Sequence, residues 1–168
     1  AIVSSQLDPV VQERLDAYEV GLKSILAGGQ AQFNMSAFYY DYKDKQLLTK
    51  KTIPVFKTAF TLGNMDESVV KGLEFDLQWL ASENLTINAA VGLLDTEIIK
   101  GDGFNQLGQS VDFAGSPLPF SSEFQANILA KYEWSLADSM VGFVAIDSAY
   151  ASAYNTDFKA DVTMTSPV

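Results

Sequence analysis

Most of the chain alternates between apolar and polar residues with a period of two, which is typical of β-strands rather than helices. The clearest example is KGLEFDLQW at residues 71–79. One of its faces carries Leu73, Phe75, Leu77 and Trp79. The opposite face carries two carboxylates and an amide, on Glu74, Asp76 and Gln78. Such a strand lies between an apolar and a polar medium, and alternation alone does not say which media these are.

The same alternation predicts an all-β fold. Six principal strands are expected near residues 17–26, 32–46, 67–81, 85–98, 121–135 and 140–153. Short turns at 27–30, 82–84 and 135–139 join these strands in pairs. Because a short turn forces antiparallel pairing, we expect an antiparallel meander.

The other connections are much longer. We expect long loops at 47–66 and 99–120, with a short strand at 55–60 and a turn at 62–67 inside the first. Compact soluble domains rarely contain structureless loops of this length. Outer-membrane barrels do, because their turns are short at the periplasmic end and their loops long at the outer end.

The two ends of the chain are less regular. Four apolar residues near helical spacing predict a short helical turn at 9–15, which Pro9 could start. The tail from Asn155 is expected to be loop.

Aromatic residues concentrate near the ends of the predicted strands. Trp79 and Trp134 each lie beside a short turn on an apolar face, and Tyr18 and Tyr132 are placed near the same level. Three further tyrosines lie toward the long-loop end: Tyr39, Tyr40 and Tyr42. This distribution favours the aromatic girdles of a membrane barrel, although aromatics also cap the core of a soluble sandwich.

Composition excludes several functions. The chain has 21 acidic and 11 basic residues and a net charge of −10, which disfavours nucleic-acid binding. It has no cysteine and no histidine, so it lacks disulfides, thiolate metal sites and Ser–His or Cys–His catalysis. Residues 74–76 and 95–97 each contain two carboxylates, and the two members of each pair stand about 7 Å apart on one face of a strand. Carboxylates are, however, common on wet faces. We therefore expect no enzyme, no metal site and no cofactor, and the run DGFNQ at 102–106 lacks the ligand spacing of a calcium loop.

No run of about 18 apolar residues is present, so a transmembrane helix is not expected. A transmembrane strand needs only about 9–11 residues of alternating character. Two folds therefore stay open at this point. One is a membrane barrel with its apolar face toward lipid, and the other is a soluble β-sandwich with that face in a core.

Five stretches of the sequence, in order, resemble the C-terminal barrel region of TonB-dependent outer-membrane receptors. They are YEVGLKS at 18–24, FNMSAFYYDYKDKQ at 33–46, VVKGLEFDLQW at 69–79, LTINAAVGLLDTEI at 85–98 and GSPLPFSSEFQANILAKYEW at 115–134. Barrels of this family have 22 strands and a plugged lumen, whereas this chain provides about six strands. The resemblance implies that residues 1–168 are part of such a barrel domain, without its plug domain, its TonB-contact segment or its remaining strands.

The resemblance also implies which way each face points. The side chains expected to face lipid are Leu73, Phe75, Leu77, Ile87, Val91, Phe124, Ile128 and Tyr132. Glu74, Asp76 and Gln78 are expected to face the lumen, and Trp79 is expected at the periplasmic boundary.

The implied function is active transport across the bacterial outer membrane. The receptor would take up a scarce ligand such as a ferric siderophore, and the TonB complex would supply energy through the plug. Aromatic and cationic side chains near the long loops suit such chelates. The candidate ligand-binding residues are Tyr40, Tyr42, Lys43, Lys45, Phe104, Asn105, Gln106 and Phe120. The alternative is a soluble antiparallel β-sandwich that acts as a binding or adhesion module, in which Trp79 and Trp134 would be buried.

Overall fold

The computed structural model describes residues 9–53, 57–104, 110–156, 158 and 165–166, and leaves the side chains at 49–53, 57–61, 104, 110 and 165–166 undescribed. The described residues form ten strands: β1 Arg14–Leu26, β2 Ala31–Ile53, β3 Lys57–Ser82, β4 Leu85–Lys100, β5 Asp102–Phe104, β6 Ser110–Asp112, β7 Phe124–Ala137, β8 Met140–Ala151, β9 Tyr154–Asn155 and β10 Thr165–Ser166. Six of them form one sheet in the order β1-β2-β3-β4-β7-β8. Each pair is antiparallel, so the predicted meander is confirmed.

The register keeps the two faces separate across the whole sheet. Leu77 lies opposite Phe33 on β2 and Ala89 on β4, whereas Gln78 lies opposite Gln32 and Asn88. Neighbouring side chains on a strand point to opposite faces, so apolar rows continue as apolar rows and polar rows as polar rows. The predicted outward set therefore shares one face of the sheet.

Short turns close the three hairpins as predicted. The first is a single 3₁₀ turn at Ala27–Gly29, in which Gly28 adopts a φ of 65° that glycine tolerates best. The second passes through residues 83–84 and the third through residues 138–139. All three lie at one end of the sheet, and the connections from β2 to β3 and from β4 to β7 lie at the other end.

The first predicted long loop is wrong. Instead of ending near 46, β2 continues to Ile53, and β3 already begins at Lys57, which pairs with Ile53. The predicted turn at 62–67 also lies within β3, where Gly63 faces Leu47 across the hairpin. The apolar–polar alternation fades over residues 47–66, so the sequence pattern predicts a loop where the two strands extend.

The second predicted long loop contains ordered structure. It includes the hairpin of β5 and β6, although residues 105–109 lie outside the described part of the chain. The following segment pairs with the outer half of β4, where Gly115 N–H donates to Ile98 O (2.8 Å) and Ile98 N–H donates to Ser116 O (2.9 Å). A small buried cluster forms beneath this segment from Met65, Ile98, Phe113 and Leu118.

Two expectations for the chain ends are also wrong. Residues 9–13 have no helical structure, and β1 begins at Arg14. The tail is not all loop, because Tyr154–Asn155 pairs with Thr165–Ser166. The expected helical turn fails because the backbone of this segment bonds to neighbouring strands instead, as described below.

The apolar face has no covering layer among the described residues. Leu73, Phe124, Ile128 and Tyr132 are exposed, and Phe75, Leu77, Ile87 and Val91 are half-buried only by their neighbours. A sandwich would bury this face in a dry core, so the sandwich alternative is not the observed fold. Among the residues that the structure describes, no helix is long and apolar enough to cross a membrane.

Candidate functional site

The polar face of the sheet forms an open concavity of about 620 Å³ that crosses all six strands. Its lining residues belong mainly to the polar rows: Glu19, Gly21, Lys23, Asn34, Ser36, Glu74, Asp76, Ala90, Gly92, Gln125, Asn127, Ala149 and Ala151. Small residues on several strands leave room between the longer polar side chains. The curved sheet thus presents its wet face on the inside and its apolar face on the outside.

Hydrogen bonds between strands hold the acidic side chains of this face. Asn34 Nδ2 donates to Asp76 Oδ1 (3.0 Å), and Ser36 Oγ donates to Glu74 Oε2 (3.4 Å). The partners are directly opposite in the register of β2 and β3. Each carboxylate is paired with a neutral donor, which is the arrangement of a hydrated structural wall.

A polar row crosses the apolar face toward the end with the long connections. Tyr18, Tyr39, Lys71 and Asp95 are successive register partners on β1 to β4. The two tyrosine rings are 6.5 Å apart, and Lys71 Nζ forms an ion pair with Asp95 Oδ2 (3.1 Å). The placement of Tyr18 near the level of the tryptophans is therefore wrong, because β1 enters the sheet from the opposite end.

The other end of the apolar face carries the indoles. Tyr132 and Trp134 stack with ring centroids 6.2 Å apart, and Trp79 lies near the turn that joins β3 to β4. From Lys71 to Trp79 the strand rises roughly 26 Å. At the usual strand tilt this spans roughly 20 Å along a barrel axis, close to the ~25 Å apolar band of outer-membrane barrels.

Two of the predicted ligand-binding residues, Tyr40 and Tyr42, lie on the polar face beyond the level of Tyr39. Tyr40 stacks on Phe38, with centroids 5.0 Å apart. Phe38 is an apolar residue on a polar row, and it fits there because Gly72 opposite leaves its position open. A Cβ at Gly72 would stand 2.5 Å from the Phe38 ring.

The two lysines among the predicted ligand-binding residues, Lys43 and Lys45, make different contacts. Lys45 Nζ lies 5.2 Å from the centroid of the Tyr42 ring, in a cation–π contact. Lys43 instead forms an ion pair with Asp41 (3.4 Å). Asp44 has a φ of 54°, and this left-handed residue turns the strand between the two lysines.

The remaining candidates do not join this group. Phe120 is 69% exposed and contacts Tyr154 (6.0 Å) beside β7, which is three strands from β2, or roughly 14 Å. Phe104 lies in β5, whose backbone contacts β2, but its side chain is not described. Asn105 and Gln106 lie outside the described residues.

Sequence reasoning missed three residues that hydrogen-bond the segment before β1 to β2 and β3, and one of them, Glu13, also bonds to Tyr42. They are Glu13, Gln46 and Asn64. Burial raises the pKa of the Tyr42 hydroxyl, and its hydrogen bond to Glu13 raises that pKa further. Tyr42 lies three residues beyond Tyr39, outside the part of β2 that faces the apolar band. No sequence signal points to these residues, because the pattern predicts a turn at 62–67 and a helical turn at 9–15.

No group of three or more potential metal-ligating side chains was found in the part of the chain that the structure describes.

Known proteins agree with this architecture. The crystal structure of the siderophore receptor PiuA from Acinetobacter baumannii is similar, with a TM-score of 0.62 at 19% sequence identity. The match covers 84% of this chain and 19% of that chain, so this sequence spans about a fifth of that receptor's length. At this identity the likeness supports the fold alone.

The family evidence comes from the sequence. The model of the family described as "TonB dependent receptor-like, beta-barrel" matches residues 3–166. Receptors of this family transport ligands and are not an enzyme class. Because the match covers nearly the whole sequence, the chain belongs to the TonB-dependent receptor-like β-barrel family, whose members lie in the bacterial outer membrane.

Proposed function

We propose that this chain is part of an outer-membrane active-transport receptor for a scarce ligand such as a ferric siderophore, energised through TonB. One observation carries the proposal beyond family membership. The same six strands present an apolar band between aromatic rows on one face and an open polar concavity on the other. A barrel wall between lipid and a wet lumen needs both faces at once.

The orientation follows from the connections. Short turns belong at the periplasmic end of such barrels and long connections at the outer end. Trp79 and Trp134 therefore mark the periplasmic boundary, and Tyr18 and Tyr39 mark the outer one. The hairpin of β2 and β3 projects outward beyond Tyr39.

Ligand contact is proposed at the outer mouth of the concavity. Tyr40, Tyr42 and Lys45 offer two phenols and an ammonium group close together, which suit chelates through stacking, hydrogen bonds and charge. Four further candidates stay sequence-based predictions: Phe104, Asn105, Gln106 and Phe120. Lys43 is the weakest candidate, because Asp41 neutralises it.

The proposal gives the rest of the receptor defined roles. Residues 1–168 would contribute part of the barrel domain, and the other strands, the plug and the TonB-contact segment would come from elsewhere in the receptor. This chain would bind and guide the ligand without catalysing a reaction.

Iron-uptake measurements test the function in the native bacterium. Deleting the full-length receptor gene from iron-starved cells should abolish uptake of radioactive iron from at least one of three chelates: a hydroxamate (ferrichrome), a catecholate (ferric enterobactin) or a carboxylate (ferric citrate). The intact gene should restore it, and loss of TonB or of the proton gradient should abolish uptake while leaving surface binding. Normal uptake of all three chelates in the deletion strain, or uptake that does not depend on TonB, would contradict the proposal.

A further inference from the structure

A short segment before β1 is held against the projecting hairpin, and we refer to residues 9–13 as the strap. The Asn64 side-chain amide pairs with Val11 at both backbone groups: Val11 N–H donates to Asn64 Oδ1 (2.9 Å), and Asn64 Nδ2 donates to Val11 O (3.1 Å). Gln46 Nε2 donates to the same oxygen (3.0 Å). Two side-chain amides thus hold one backbone position of the strap.

The side-chain amides of Asn64 and Gln46 bond to the strap where the backbone pairing between β1 and β2 stops. Backbone pairing of β1 with β2 reaches Arg14 and Lys43 and goes no further among the described residues. The next residue of β2, Asp44, has a φ of 54°, and its backbone oxygen accepts from Asn64 Nδ2. Because these bonds lie at exposed positions and are few, the strap can open without unfolding the sheet.

The strap also places a carboxylate among the proposed ligand-binding residues. Glu13 Oε2 accepts from the backbone N–H of Gln46 (3.0 Å), and the Glu13 carboxylate hydrogen-bonds to the Tyr42 hydroxyl. The Lys45 ammonium lies over the Tyr42 ring. A backbone N–H, a phenol O–H and a nearby cation form a favourable environment for an anionic oxygen.

Protonation of the phenol agrees with this arrangement. Burial and the Glu13 hydrogen bond raise the pKa of Tyr42 above its usual value near 10. The hydroxyl therefore keeps its proton at physiological pH and acts as a donor.

We propose that Tyr42, Lys45 and the Gln46 N–H form a site for a carboxylate of the transported chelate, and that Glu13 fills this site until the ligand displaces it and frees the strap. The inference rests on the proposed function and adds to it a ligand class, a carboxylate-bearing metal chelate. Glu13 then acts as an internal competitor, because two carboxylates cannot share the same donors.

The test follows the strap directly in the purified full-length receptor. A nitroxide is attached at Val10→Cys, since this chain has no cysteine of its own, after replacement of any cysteine elsewhere in the receptor. Gallium(III) citrate serves as the carboxylate probe because Ga³⁺ is diamagnetic and leaves the nitroxide spectrum unbroadened. The gallium(III) complex of a neutral trihydroxamate serves as the probe without carboxylates.

Gallium citrate should mobilise the nitroxide, and the trihydroxamate should not. Glu13→Gln keeps the shape of the side chain but removes its charge, so the strap should already be mobile without ligand. The affinity of the Glu13→Gln receptor for gallium citrate should rise about threefold or more. Glu83→Gln, the same change in an exposed turn at the opposite end, should leave both readouts at the wild-type level.

Two results would overturn the inference. One is a nitroxide equally mobile in the wild type and in Glu13→Gln, and the other is a strap that gallium citrate leaves in place. TonB-dependent iron uptake by the bacterium that carries the receptor separates the proposed transport function from the proposed strap mechanism. If uptake persists while the strap stays in place, the transport function stands and the strap mechanism fails. If the deletion strain loses no uptake, the transport function fails, whereas the strap is still decided by the spectra.

Discussion

A single strand, β3, passes through two regions that are stabilised in different ways. Between Lys71 and Trp79 its residues alternate strictly, and the apolar ones stay open to the surroundings, with Leu73 38% exposed. Nearer its outer end, Met65 is only 2% exposed and packs with Ile98 beneath the segment that follows β6. In the barrel wall proposed above, lipid would cover the apolar side chains of the first region, whereas the protein itself covers those of the second.

Alternation in the sequence indicates that a strand lies between two media, but it does not indicate whether lipid or protein covers the apolar side chains. In the membrane band, an apolar side chain is favourable because hydrocarbon lies outside it. At the outer end, the same kind of side chain needs packing partners from the chain, as in a soluble domain. Substitutions of different chemistry should therefore damage the two regions.

The largest effect is expected from a cavity at the outer end. Ile98→Ala should destabilise the packing of residues 113–118 by about 2–5 kcal/mol, because Ile98 is 0% exposed within the small buried cluster. Hydrogen exchange at the Gly115 and Ser116 amides should accelerate, while assembly in the outer membrane continues. The adjacent Ile99→Ala is the control, since Ile99 is 43% exposed and its loss should change stability by less than ~0.5 kcal/mol. Equal acceleration in both variants would show that the cluster is not a core.

A charge in the membrane band tests the first region. Leu77→Arg should hinder assembly, because an arginine on the lipid face costs ~2–4 kcal/mol at the bilayer midplane and less toward the interface, which Trp79 marks two residues away. Gln78→Arg should assemble, since Gln78 lies on the polar face of the sheet, opposite Gln32 and Asn88. Ile128→Arg and Asn127→Arg make the same contrast on β7, and heat-modifiable gel mobility of the full-length receptor reports each result. Equal folding of Leu77→Arg and Gln78→Arg would refute the assigned faces.

The faces of the sheet were predictable from sequence because they depend on neighbouring residues alone. Leu77 and Gln78 differ in polarity at adjacent positions, and the short turns fix the antiparallel register that extends this difference over six strands. The same reasoning gave the strand order. The position of a residue between the two ends of the sheet was harder to predict, as Tyr18 shows. That position depends on the direction in which its strand enters the sheet.

The outer end was not predictable in the same way. The hairpin strands over residues 47–53 and 57–66 lack the apolar–polar alternation from which the other strands are predictable. The strap depends on Asn64 and Glu13, whose partners are distant in sequence, and on the left-handed turn at Asp44. Of the candidate ligand residues, Tyr40, Tyr42 and Lys45 come together because one strand carries them, whereas Phe120 lies on another part of the sheet.

A smaller effect is expected where the two regions meet. At Gly72, an added Cβ would stand 2.5 Å from Leu93 O and 2.5 Å from the Phe38 ring. Gly72→Ala should therefore destabilise the receptor by about 1–3 kcal/mol and displace Phe38 from Tyr40. Gly92→Ala on the neighbouring strand is the control, because nothing lies within 4 Å of its added Cβ. Urea unfolding in detergent micelles compares the two, and equal loss would show that the Phe38 contact is not the cause.

The smallest effect locates the boundary between the regions. Lys71 and Asp95 pair at 3.1 Å on the apolar face, with side chains 54% and 66% exposed. If this row lies in hydrated headgroups, the coupling energy should be about 0–1 kcal/mol, as for surface ion pairs. A double-mutant cycle of Lys71→Ala and Asp95→Ala, followed by urea unfolding in lipid nanodiscs, measures that coupling. Coupling well above this range would mean that hydrocarbon surrounds the pair, since charges interact more strongly where the dielectric constant is low. The lipid boundary would then lie farther out, beyond Tyr39, and the membrane band would be longer than the interval from Lys71 to Trp79.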